Sequence, residues 1–149
     1  MRSRGLVLAL LLALPATAEE AAEPLERILA DVDGHPILLS EVRLLASLKG
    51  LERAAALEAA IAARLMQREA ARLPQAALAP DEAEAACADL KRKAPQILDH
   101  GGLCAVARHE AVVLKYVGFR FRGDLLDAQI EAWLEELRAA ATIRYNPAP

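Results

Sequence analysis

The chain predicts a mainly helical fold: a bundle of about five helices beside a small antiparallel sheet, formed by an N-terminal hairpin and a C-terminal strand. Three observations predict it. Alanine and leucine dominate, with only 7 glycines and 3% aromatic residues, a composition that favours helix. Bulky apolar residues recur at threes and fours through most of the chain. Two stretches, 28–39 and 142–145, alternate instead, and the first contains the reverse-turn pair Asp33-Gly34.

The first eighteen residues come before the fold. Arg2 and Arg4 give a basic start, residues 5–14 form a short apolar run, and Ala16-Thr17-Ala18 precedes Glu19. This is the pattern of a secretory signal peptide cleaved after Ala18. An uncleaved anchor is the alternative, but the run falls short of the ~20 apolar residues that span a bilayer. No cysteine follows the run, so a lipid-modified N-terminus is not available. Residues 19–149 then form one domain, long enough for its own core. All 21 acidic residues lie in that part, while two of the 18 basic ones leave with the leader, so the formal charge becomes −5. An acidic chain without a basic block argues against nucleic acid as a partner, because such binding depends on neutralising phosphates.

The elements follow in order. Residues 19–23 are a polar lead. Residues 28–33 alternate, with Leu29 out of pattern, and residues 36–39 return as a strand in which Pro36 is tolerable only at a start or an edge. Ser40 reads as the N-cap of a first helix over 41–48, with Glu41 in its first turn and Gly50 stopping it. A second helix spans 52–73, stopped by Pro74, with Leu57, Ile61, Leu65, Met66 and Leu73 on its apolar arc. Glu69 falls inside that arc and is expected to pair with an arginine of a neighbouring helix. Pro80-Asp81-Glu82 opens a third helix that ends near Lys93, before Pro95. Residues 96–103 form a linker.

A fourth helix over 105–122 carries Val106, Val113, Val117 and Phe121 on one line. His109, Val112, Tyr116 and Phe119 lie on an adjacent line, so this helix is expected to be central. Leu126, Ile130, Trp133, Leu134, Leu137 and Ala141 form the cleanest stripe, that of a fifth helix docked along one side. Residues 142–145 alternate, and the tail from Asn146 adds nothing to the fold. An isolated hairpin is marginal in water, so the N-terminal pair needs residues 142–145 as a third strand.

Cys87 and Cys104 belong to a chain bound for an oxidising compartment, so a disulfide between them is the leading reading and two buried free thiols the alternative. His100, Cys104 and His109 match no compact zinc spacing, and no CxxC occurs. No metal or cofactor is expected.

Four segments in order resemble the SurA-type periplasmic chaperones. ILADVDGHPILLSEV, residues 28–42, resembles the strand, turn, strand and capped helix that open the chaperone domain. ALEAAIAARLMQREAARL, residues 56–73, is similar to the second long helix, including the Glu69-Ala70 pair. PDEAEAACADL, residues 80–90, resembles the next helix. IEAWLEELRAAATIRY, residues 130–145, resembles the C-terminal helix and closing strand. The family usually carries parvulin-type prolyl isomerase domains between its last two helices. Here only Gly123-Asp124 separates Arg122 from Leu125, which leaves no room for about 100 residues, and two Phe are too few for such a domain's strands.

The resemblance therefore implies a periplasmic chaperone domain without isomerase activity. No GxSxG, HExxH, phosphate-loop or dinucleotide motif is present. Ser40 is accounted for by capping, His35 by its turn, and His109 as a core or boundary histidine. The expected function is non-enzymatic and ATP-independent: holding apolar segments of unfolded exported proteins weakly in a groove between helices. Leu44, Leu48, Leu51, Met66, Phe119 and Phe121 are the expected peptide-binding residues, Met66 foremost because its thioether suits irregular partners. The alternative is an assembly subunit for one dedicated partner protein, and a reduced prolyl isomerase stands behind both.

Overall fold

A computed structural model describes residues 26–97, 101–123 and 126–146. The expected leader, His100, Asp124, Leu125 and the last three residues lie outside the described residues. Strands β1 (Ile28–Val32) and β2 (His35–Leu38) lead into helices α1 (Leu39–Lys49) and α2 (Arg53–Ala70). Helices α3 (Pro80–Lys93), α4 (Leu103–Arg120) and α5 (Leu126–Ala140) follow, and strand β3 (Ile143–Tyr145) closes the fold. Five helices beside a three-stranded antiparallel sheet match the architecture predicted from the periodicity.

The sheet order is β2-β1-β3, so the two ends of the described chain meet. Val32 pairs with Ile143 and Ala30 with Tyr145. Asp33 (φ 50°) and Gly34 (φ 83°) form the hairpin turn, both in the left-handed region that a two-residue turn requires. Pro36 lies on an edge strand, where its missing N–H costs no ladder bond. The register shifts between Ile28 and Ala30. That bulge turns Leu29 inward to 5% exposure and leaves Ile28 at 44%, which explains the residue out of pattern.

Several local expectations are corrected. Helix α1 starts at Leu39, and Ser40 does not cap it with its own side chain. Instead Ser40 Oγ donates to Glu26 Oε2 at 2.6 Å while Glu26 Oε1 accepts the Ser40 backbone N–H at 3.2 Å. The capping carboxylate thus comes from a residue before the sheet, and these bonds lower the Glu26 pKa, that from the Ser40 hydroxyl first. At the other end of α1, Gly50 (φ 63°) takes the left-handed cap position.

Helix α2 stops at Ala70, three residues early, because Leu73 must be extended ahead of Pro74 (φ −96°, ψ 109°). Glu69 pairs with Arg72, three residues on, at 2.9 Å and not with a neighbouring helix. Helix α4 runs two residues earlier than expected at both ends. In α3, Asp81 is a first-turn acid, and Glu82 Oε2 accepts the Ala79 backbone N–H at 2.8 Å. Asn146 is not idle: its backbone N–H donates to Leu29 O at 2.9 Å and its side-chain amide to Ile28 O at 3.1 Å.

Two clusters form the core. One joins the sheet to α1 and α2 through Val32, Ile37, Leu39, Val42, Ile61 and Leu65. The other gathers Ala70, Ala76, Tyr116, Val117 and Trp133. Leu137 on α5 packs against both, so the fifth stripe holds the two halves of the bundle together. Trp133 stacks on Tyr116 with ring centroids 5.1 Å apart and meets Phe121 at 5.5 Å. Cys87 of α3 and Cys104 of α4 stand at disulfide distance, with Cα atoms 4.7 Å apart.

Candidate functional site: an apolar groove between three helices

A cavity of about 300 Å³ opens between α1, α2 and α4. Each helix lends it residues at helical spacing: 41, 45 and 49 from α1, 59, 63, 64, 66 and 67 from α2, and 106, 109, 110, 113 and 114 from α4. Leu45, Met66, Val106 and Val113 make its apolar surface. Ala59 and Ala63 contribute no more than a methyl each, so the α2 wall is recessed there. Leu114 stands at the rim with 71% of its surface exposed. A leucine this exposed gains little from the hydrophobic effect in the isolated chain.

The polar rim is largely self-neutralised. Arg64 Nη2 donates to Glu41 Oε2 at 3.0 Å and to Oε1 at 3.3 Å, tying α2 to α1. Lys49 of α1 faces Glu110 of α4 at 3.6 Å. His109, expected in the core or at its boundary, lies at the boundary: it lines the groove with much of its surface exposed. Partial desolvation against the wall, and then the Arg64 charge, lower its imidazole below the ordinary value, which favours the neutral ring. Among the described residues lining the groove, Gln67 and His109 are the polar groups without an ion-pair partner. The chemistry on offer is burial of apolar surface, with two weak hydrogen-bonding groups at the edge.

The six expected peptide-binding residues are scattered by the fold. Met66 lines the groove and also packs against the second core cluster. Leu44 is 2% exposed and belongs to the interior. Leu48 and Leu51 are half-buried, Leu51 against the first cluster. Phe121 is held in the ring cluster with Trp133. Phe119, expected on an apolar line of a central helix, is 49% exposed and borders a separate open hollow with Leu73, Gln75, Tyr116 and Arg120.

Helix α4 has two working faces. Cys104 and Lys115 meet α3, through Cys87 and through Glu82, whose Oε2 accepts from Lys115 Nζ at 2.7 Å. Val106, His109 and Val113 look toward the groove. Among the described residues no group of His, Cys, Asp and Glu is placed to hold a metal ion, and no helix is long and apolar enough to cross a membrane. Comparison with protein-family models, with curated proteins and with solved structures finds no match to this chain.

Proposed function

We propose that this chain is an exported, periplasmic, non-enzymatic chaperone domain that holds apolar segments of unfolded exported proteins in the groove between α1, α2 and α4. The groove carries the reading: a recessed apolar surface with Leu114 left in solvent beside it is what transient burial of a client requires. Paired rim charges support the same reading, because they leave the groove without an uncompensated charge that would select one ionic ligand. The cysteine pair fits an oxidising compartment, and the four segments that resemble SurA-type chaperones agree with such a role. Affinity should be modest, since ordering a flexible client offsets much of the burial.

Light scattering from a reduced, unfolding secretory protein tests the proposal. The protein should suppress aggregation, and a Met66→Gln/Leu114→Glu variant of unchanged helicity should be required at roughly tenfold higher concentration, because polar groups in the apolar wall oppose client burial. Equal potency of the variant would overturn the assignment to this groove. Suppression restricted to one co-purifying protein would replace a broad chaperone with a dedicated assembly subunit.

A further inference from the structure

The groove has a length, and that length restricts what can lie in it. On α1 the lining residues run from 41 to 49, on α2 from 59 to 67, and on α4 from 106 to 114. Each helix therefore contributes a span of nine residues, about 12 Å across eight rises of ~1.5 Å. An extended client covers that distance in about four residues, at ~3.3 Å each, and presents only alternate side chains, about two of them. A helical client covers it in two turns and presents apolar residues at i, i+3 or i+4, and i+7 to the same face.

Hydrogen bonding decides in the same direction. The walls are helices whose central backbone groups are satisfied internally; seven of the thirteen lining side chains are apolar, and four of the six polar ones are already held in ion pairs. An extended client lying there would bury N–H and C=O groups with only Gln67 and His109 at the edge to meet them, each unmet group at a cost comparable to a lost hydrogen bond. A helix brings its own ladder with it. The recess at Ala59 and Ala63, one turn apart, admits large side chains from such a helix. Charge agrees as well: Glu41 is matched by Arg64 and Lys49 by Glu110, so the complementary surface is an uncharged apolar stripe.

Resting on the chaperone reading above, we infer that the groove takes its clients as amphipathic helices, an apolar stripe of about two turns docking between α1, α2 and α4. Extended or β-patterned segments are disfavoured there.

Fluorescence anisotropy with three labelled peptides tests this. The first is an alanine-based peptide of about 18 residues, long enough to form helix, with leucines at i, i+4, i+7 and i+11 and glutamines elsewhere. The second has the same composition with leucines at alternate positions, and the third is the first with a central proline. The helical peptide should bind best, gain helicity by circular dichroism on binding, and lose roughly a hundredfold in affinity to the proline, the ordinary cost of proline inside a helix. Ala63→Leu, which fills the recess, and Leu114→Gln, at an exposed site that folding does not use, should each weaken it at least about fivefold. If all three peptides bind equally and Ala63→Leu abolishes every one, the helix requirement falls while the groove stands. If binding ignores both substitutions, the groove reading falls with it. Self-association by analytical ultracentrifugation that Leu114→Gln removes would make a second copy of the chain the occupant and overturn the inference.

Discussion

Asp33 shows how much one residue carries in this fold. Its backbone sits in the left-handed region that the hairpin requires, and its N–H donates to Thr142 O at 2.9 Å. Its carboxylate accepts the Thr142 backbone N–H at 2.7 Å and the Arg68 guanidinium at 2.6 Å. One side chain therefore ties the turn to the closing strand and to α2. Those bonds, Thr142 first and then Arg68, hold its carboxyl below the ordinary 3.8. A carboxyl lowered on folding stabilises above its unfolded value, and that contribution is lost as the pH falls from about 3.8 toward the lowered value. Asp33→Asn keeps an acceptor for Thr142 and tolerates the backbone, but loses the charge facing Arg68. Thermal unfolding between pH 3 and pH 6 should show a melting temperature reduced by a few degrees at pH 6, the gap narrowing toward pH 3. Asp33→Ala should be worse throughout. A gap that stays constant with pH would refute the ionic part of the account. Asp-Gly announced the turn in the sequence, but the partners lie 35 and 109 residues away, beyond any local pattern.

At the scale of elements, periodicity could be read, and so could the ends that proline and glycine mark, at Pro80, Lys93 and Gly50; the other ends could not. The stripe from Leu126 to Ala141 and the fours of α2 marked helices because burial repeats with the helical turn. Those other ends answer to single contacts: Glu26 reaching Ser40, or Leu73 forced extended by Pro74. Helix α3 is the extreme case, since none of its residues is fully buried. Its hold on the body combines packing along α4, the Lys115–Glu82 pair, and the covalent link open to Cys87 and Cys104. With the cysteines 17 apart in sequence, closing that loop restricts the unfolded chain by about 3 kcal/mol in the chain-entropy model. The double variant Cys87→Ala/Cys104→Ala should therefore lose about 3 kcal/mol in urea denaturation. Because the groove residues of α4 lie on another face from Cys104, hydrogen exchange should rise first in α3. Equal stability with and without the cysteines would mean that the two do not bridge in solution.

For the whole molecule, the meeting of the two ends of the described chain was legible and the place of the groove was not. The need of a hairpin for a third strand pointed to residues 142–145, and Val32 does pair with Ile143. The groove's place escaped because it is a property of three helices at once. Of its larger apolar lining residues, Met66 differs from ordinary core by its chemistry, whereas Leu114 differs only by what the fold leaves uncovered. The closing strand also supports α1 and α2, which wall the groove: Tyr145 Oη donates to Glu58 Oε1 at 2.9 Å, and Ile143 packs on the first core cluster. Ending the chain after Ala141 would remove the Asp33–Thr142 exchange, the β1–β3 ladder and the cover over Val32 and Ala30. Several ladder bonds at ~1 kcal/mol each and the uncovered apolar surface put the loss on the order of 4 kcal/mol. That is a large share of the ~5–15 kcal/mol a domain of this size possesses. Urea unfolding of the truncated chain should show a midpoint lowered by more than 1 M at a typical slope of 1–3 kcal/mol/M. Adding a synthetic peptide of residues 141–149 should raise it in a concentration-dependent way. An unchanged midpoint would show that the helices stand without the sheet, and the joined ends would then be an ornament of the fold and not its clasp.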